Sequence, residues 1–253
     1  MRLAEELGVI QLRGVGVVTF LQGYLTTDAQ ALKANTLQGT AICNIKGRVL
    51  ATLFGRLIDD GVEFVLSREL VEATCVYFSK YLIFNKIEVV DVSHSRQVVA
   101  YLGAIPSGVS RVSENLGLWV VNDPQPLHDE HTYEEWQTAL ITASLPVITK
   151  LTSEKFLPQM LNFTDLGWLD FNKGCYLGQE VIARVQHRGE VKRELAALHW
   201  QGTPPEVGMT LQPKALIIQT ASVSPDQGYA LAVVKKPAAL EYQNGEETCF
   251  TQL

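Results

Sequence analysis

FNKGCYLGQEVIARVQHR, residues 171–188, is the stretch from which the rest of the chain is read. Gly174 and Gly178 punctuate its first half, and glycine permits a positive φ or a close backbone approach. From Gln179 onward, Val181, Ile182 and Val185 share one helical face, while Gln179, Glu180, Arg184 and Gln186 fall elsewhere around it. Gly189 follows where a C-cap glycine would stand. The pattern predicts a glycine-punctuated loop that delivers the Lys173 amine and the Cys175 thiol close to a helix N-terminus. Unpaired N–H groups and the helix dipole favour an anion there, and the thiolate is the nucleophilic form of cysteine. Glu180 and Arg184 are spaced to pair across one turn. Bland readings compete: a lone cysteine is more often a small core residue, and an exposed i,i+4 pair contributes only about 0.3–0.5 kcal/mol.

Composition sets the outer bounds. The 253 residues suit one large or two modest domains, and a hydrophobic content of 47% is ample for a core. A net charge of −6 argues against a general nucleic-acid binder, which needs a basic face. The four cysteines, at 43, 75, 175 and 249, form no CxxC pair and show no zinc-like spacing with histidine. They suit a reducing compartment, and no stably bound metal or iron–sulfur cluster is expected. The N-terminal MRLAEELGVI lacks a signal-peptide pattern, and no apolar run reaches bilayer length. The expectation is a cytoplasmic protein.

Outward from the signature, the chain reads as α+β followed by all-β. A strand is predicted over 7–13, then a helical or helix-turn-helix pattern over 14–32, with Thr26 or Thr27 as a cap and Asp28 as a first-turn acid. Strands follow over 36–44 and 48–58, flanking the Lys46-Gly47-Arg48 turn. Asp60-Gly61 reads as a hairpin turn before a strand over 62–66. Residues 68–81 read as a helix, and 86–92 and 97–102 as strands; together these suggest a split-βαβ, ferredoxin-like lobe. A loop-rich stretch over 106–117, a short strand over 119–121, a polar connection over 122–131 and a helix over 133–143 precede the central loop. Beyond Gly189, short strands over 194–200, 209–211, 215–220, 229–234 and 248–251 indicate a small barrel. The division expected is 1–193 for two interleaved α+β lobes and 194–253 for the barrel.

Lys173-Gly174-Cys175-Tyr176-Leu177-Gly178-Gln179-Glu180 resembles the KGCYxGQE signature of the YgfZ family of folate-binding, GcvT-like proteins. Other segments agree in order. Phe20-Leu21-Gln22-Gly23 with Leu25-Thr26 and Asp28 resembles the family's FxQGQLTxD stretch. Lys46-Gly47-Arg48, Lys80-Tyr81 with Phe84 and Lys86, and Leu157-Pro158-Gln159 with Asn162 match further segments. The chain is short for the bacterial branch, chiefly between residues 100 and 135 and in the barrel. The resemblance implies a three-lobed ring around a central cavity that accepts tetrahydrofolate. It implies Cys175 as the chemically active group, with Lys173, Gly174, Tyr176 and Gln179 on the signature loop that lines the cavity. Lys46, Arg48, Lys173 and Arg184 are candidates for the anionic glutamyl tail. Glu180 or Asp28 is a candidate for the pterin edge, and Tyr176 for a wall.

The resemblance also implies a function: an accessory factor that supports synthesis or repair of iron–sulfur clusters in client enzymes. Two alternatives stand beside it, a folate-dependent one-carbon transferase and a non-catalytic docking scaffold. Against the transferase, Gly47 is followed by Arg48-Val49-Leu50-Ala51-Thr52, with no carboxylate to serve the folate nitrogen. The expected partners are folate and iron–sulfur client or assembly proteins, with no membrane. A monomer is expected, because no heptad or unusual apolar stripe demands a second chain.

Overall fold

The computed structural model describes residues 1–122, 129–239, 241–244 and 248–253. The fold is α+β, built on three antiparallel sheets. In the first sheet the strands lie in the order Gln38–Cys43, Val49–Ile58, Gly61–Ser67, Leu7–Gly14, Ile87–Asp91. Helix α1 (Val17–Gln22) follows the strand Leu7–Gly14, and helix α2 (Val71–Ser79) links Gly61–Ser67 to Ile87–Asp91. Apart from the added edge strand Gln38–Cys43, this is a ferredoxin-like path. Leu7–Leu12 is buried throughout because the strand is central, so its sequence does not alternate as a half-exposed strand would.

The second sheet runs Arg2–Leu3, Gln97–Leu102, Leu116–Val121, Ser110–Ser113. Helix α3 (Tyr133–Thr142) follows it and buries Trp136, Gln137, Leu140 and Ile141. The C-terminal sheet has six strands, in the order Thr210–Leu211, Ala215–Ser224, Gln227–Lys235, Arg193–Gly202, Thr248–Gln252, Glu241–Asn244. Its two edges meet: Gln212 N–H donates to the Gln243 carbonyl at 3.0 Å, and Gln243 N–H donates back at 2.8 Å. That bridge closes the sheet into a small barrel, which removes both free edges. Trp200, Tyr242, Phe250 and Leu198 fill it.

A separate continuous core crosses the first two sheets and runs through Phe156, Leu161, Phe163, Trp168 and Ile182 to the barrel residues Leu195 and Ile218. The irregular segment 144–178 therefore packs as core. Among the described residues no helix is long and apolar enough to cross a membrane.

Several expectations need correction. The helical pattern over 14–32 yields only the six residues of α1, and the rest is loop and a 3₁₀ turn, Ala29–Ala31. Asp28 is the cap of that turn, accepting from Gln30 N–H at 2.9 Å. Thr26 is buried instead, its hydroxyl donating to the Trp168 carbonyl at 2.6 Å and accepting from Ala41 N–H at 3.0 Å. Residues 68–81 divide into a 3₁₀ turn, Arg68–Leu70, and the shorter α2. Gln97–Leu102 leaves the first lobe and becomes a central strand of the second sheet. The hairpin tip is Asp59-Asp60, because Gly61 already pairs with Ile58. Strands Ser110–Ser113 and Glu241–Asn244 were not anticipated. Gly189 closes the signature helix with an extended backbone, φ −120°, rather than a left-handed one. Most of the polar connection over 122–131, including Pro124, Pro126 and His128, lies outside the described residues.

Candidate functional site

The signature folds as read: an irregular loop through Tyr176, then helix α4 (Gln179–Arg188) capped by Gly178. Gly178 has φ +86°, and a Cβ there would overlap the Asn44 carbonyl and lie 2.9 Å from the Gly47 Cα. Only glycine suits that approach, and it seats the Lys46-Gly47-Arg48 turn against the start of α4. Ile182 is fully buried on the inner face. Its carbonyl accepts the buried Gln159 amide at 2.8 Å, which ties the segment that precedes the signature to the helix.

The segment after α1 closes on the loop from the other side. Lys173 Nζ donates to the carbonyls of Gln22 at 2.8 Å and Leu25 at 2.6 Å. Leu177 N–H donates to Gly23 O at 3.0 Å and Asp170 N–H to Thr26 O at 2.9 Å. The Lys173 ammonium also lies 4.9 Å from the Tyr176 ring centre. Burial lowers the Lys173 pKa to about 8, against an upward pull from Asp28 and Asp170. Burial raises the Tyr176 phenol, with smaller contributions from Cys43 and Asp170, and its buried hydroxyl has no hydrogen-bond partner among the described residues.

Beside this junction opens a cavity of about 550 Å³. Asp28 and Asp170 line it, and both act on the Lys173 amine. Trp168 and Phe54 form an apolar wall, their rings edge to face at 5.3 Å. Gly39 lies beneath the indole, where a Cβ would collide with it. Arg111 enters from the second sheet. The cavity thus presents two carboxylates, aromatic surface and a guanidinium. Among the described residues no group of three or more His, Cys, Asp or Glu side chains is placed to hold a metal ion.

This architecture has known counterparts. The glycine cleavage system aminomethyltransferase T of Bartonella henselae superposes with a TM-score of 0.71 over 99% of this chain and 83% of that one. At 14% identity that likeness shows the fold alone. No family model matches the chain. Proteins named tRNA-modifying protein YgfZ do match it. The one from Hamiltonella defensa is 29% identical over 92% of this chain and 78% of its own length. Those from Sodalis glossinidius and Colwellia psychrerythraea are each 29% identical, over 83% and 78% of this chain and 74% and 70% of their own lengths. The chain is thus similar in sequence to proteins named YgfZ.

Measured on its own geometry, the YgfZ-like signature divides. Lys173, Tyr176 and Asp28 gather at the cavity junction. Gln179 holds the loop, its side-chain oxygen accepting from Tyr176 N–H at 3.2 Å. Gly174 faces open space and Cys175 is exposed. Glu180 is 92% exposed and pairs with Arg184 at 3.6 Å. Arg48 donates to the Lys155 carbonyl at 2.9 Å, and Lys46 is exposed on its turn. Of the candidate residues, Asp28 lines the cavity, whereas Lys173, Gly174, Cys175, Tyr176, Gln179, Glu180, Arg184, Lys46 and Arg48 are not among its lining residues, so the signature loop stands beside the cavity rather than on its wall. Trp168, Asp170 and Arg111 do line it, and the sequence reading did not single them out. A usable signal was the run Trp168-Leu169-Asp170, which enters the signature directly.

Proposed function

We propose that this YgfZ-like protein binds a tetrahydrofolate in the central cavity and serves as an accessory factor for iron–sulfur cluster synthesis or repair in client enzymes. The observation that carries the folate reading is the donor set of the cavity. A pterin offers an amino-pyrimidine edge, a flat ring and an anionic tail. A carboxylate accepts two hydrogen bonds from such an edge, and Asp28 or Asp170 supplies it. Trp168 and Phe54 match the ring, and the Arg111 guanidinium matches a tail carboxylate. The volume of about 550 Å³ falls within the range of small-molecule sites.

Bound folate would supply a one-carbon carrier. This chain's residues would orient it: a carboxylate fixes the edge, the indole excludes water from one face, and the Lys173 amine stands behind Asp28 and Asp170. Lys46, Arg48, Arg184 and Glu180 fit a second role, facing a client on the outer side of the signature helix. Cys175, exposed as Cys249 also is, would be the reactive group, as its place in the signature loop suggests. The relatives' tRNA-modifying name agrees with an accessory role beside a modification enzyme that needs its cluster maintained. On this reading residues 1–193 bind the ligand and the barrel of 194–253 completes the ring around it.

Anaerobic calorimetric titration with tetrahydrofolate tests the first step. Saturable binding by the wild type that Asp28→Asn and Arg111→Ala each weaken about tenfold or more is the expected result. Binding untouched by either change places folate elsewhere. For the second step, cells carrying only Cys175→Ala should lose cluster-enzyme activity; full activity would retire the thiol.

A further inference from the structure

A second cavity, of about 480 Å³, lies where the first lobe, α3 and the barrel meet. None of the residues that line it lines the central cavity. Between the two lies a neck of about 20 Å³. The neck shares Phe54 and Val112 with the central cavity and Glu6, Gln137 and Val147 with the second, and Leu7, Leu118, Trp136 and Leu140 complete its lining. A space of that size holds about one water at most. The second cavity is therefore a space separate from the first.

Its chemistry is amphiphilic. Tyr133, Pro205, Val207 and Ile218 give it an apolar wall. Four carboxylates line it, those of Glu5, Glu6, Glu69 and Glu134, against one lining cation, Arg68. Arg2 neutralises Glu6 at 2.7 Å. Glu69 and Glu134 accept backbone N–H groups, from Lys150 at 3.1 Å and Ser222 at 2.6 Å, and neither has a cationic side-chain partner among the described residues. Arg68 Nε donates to the Glu5 carbonyl rather than to a carboxylate. The mouth is thus left with an excess of negative charge.

A second observation points to a ligand with a carbonyl. Gln219, 4% exposed, lines the same cavity. Its side-chain oxygen accepts from Val147 N–H at 2.8 Å, which fixes the amide, and its Nε2 has no partner among the described residues. A buried amide donor without a partner is costly, and a seated acceptor would relieve that cost.

We propose that this cavity is a second binding site, for a primary ammonium carried on an apolar stem with a carbonyl acceptor at its far end. A lysyl residue of a partner protein and a free acylated diamine share that chemistry.

The test is NMR titration of the full chain with three probes: Nα-acetyl-lysine methylamide, its Nε-acetylated form, and N-acetylcadaverine. Saturable shifts confined to Tyr133, Val207 and Ile218 are expected with the charged probes. Neutralising the ammonium should weaken binding about tenfold or more, because the charged rim then gains nothing. Tighter binding of the lysine derivative identifies a protein lysine as the source; equal or tighter binding of N-acetylcadaverine identifies a free amine. Val207→Trp should abolish the shifts. Glu5→Gln and Glu69→Gln, both on exposed side chains and each keeping a side-chain acceptor, should together weaken both charged probes, and undiminished affinity in that pair would also overturn the proposal. No saturable shift with either charged probe, equal affinity for the Nε-acetylated form, or binding that survives Val207→Trp overturns the proposal.

Discussion

Two signature glycines, Gly174 and Gly178, are equivalent in sequence and opposite in consequence. Gly178 has a left-handed backbone and touches the Lys46-Gly47-Arg48 turn, whereas Gly174 has a negative or extended φ and open space around it. Gly178→Ala incurs about 1–2 kcal/mol for the backbone alone, and the overlap with Asn44 adds to it. A loss of at least about 2 kcal/mol in urea denaturation is expected, against less than about 0.5 kcal/mol for Gly174→Ala. Lys173 carries a prediction in pH. Its pKa is about 8 in the fold against 10.5 for a free lysine, so between those values the unfolded chain holds the proton that the folded chain has released. Stability should therefore rise with pH through that window and level off above it. Lys173→Met should erase that rise. It should also lower stability at neutral pH by about 1–3 kcal/mol, because the Gln22 and Leu25 carbonyls lose their donor. Urea midpoints on either side of pH 8 separate the two effects.

Helices were legible where local chemistry closed the account. Helix α3 begins with a complete capping box: Thr132 Oγ1 accepts from Glu135 N–H at 3.2 Å, and Glu135 accepts from Thr132 N–H at 2.7 Å. Thr132→Ala should cost about 1 kcal/mol in urea denaturation, and an unchanged midpoint would mean that packing alone holds the helix. Helix α4 was legible from the Val181, Ile182, Val185 face, and its glycine cap from the signature. Helix α1 was over-read, because the apolar run after Phe20 serves tertiary contacts: Leu25 pairs with Ile42 and Thr26 binds Trp168. Gln97–Leu102 was legible as a strand but not as a member of the second sheet, since pairing with Leu116–Val121 is a long-range choice. The two edge strands of the barrel were read unequally. Glu241–Asn244 is short and polar, and what makes it a strand is the closure through Gln212, which no local pattern encodes.

At the scale of the molecule, the central cavity belongs to no single lobe. Asp28 comes from the first lobe, Arg111 from the second sheet, and Trp168 and Asp170 from the segment that enters the signature. The sequence reading reached Asp28 on the cavity wall and, through a contiguous motif, the signature loop that stands beside it. It missed Arg111 because that residue sits in a stretch without periodicity, and Trp168 because an indole near an apolar run looks like core. A ligand that bridges these parts should stabilise them together. Binding to the folded state alone adds RT ln(1 + [L]/Kd), about 2.7 kcal/mol at a hundredfold excess over Kd. The thermal midpoint of the wild type should then rise with tetrahydrofolate as one cooperative transition. Arg111 is exposed, so Arg111→Ala should leave the ligand-free midpoint nearly unchanged while cutting the rise. Gly39→Ala should act through the opposite wall: the new methyl collides with the Trp168 indole and must displace it. Its expected signature is a lower ligand-free midpoint together with a smaller rise. A rise of the same size in all three proteins would mean that the ligand does not span the first lobe and the second sheet.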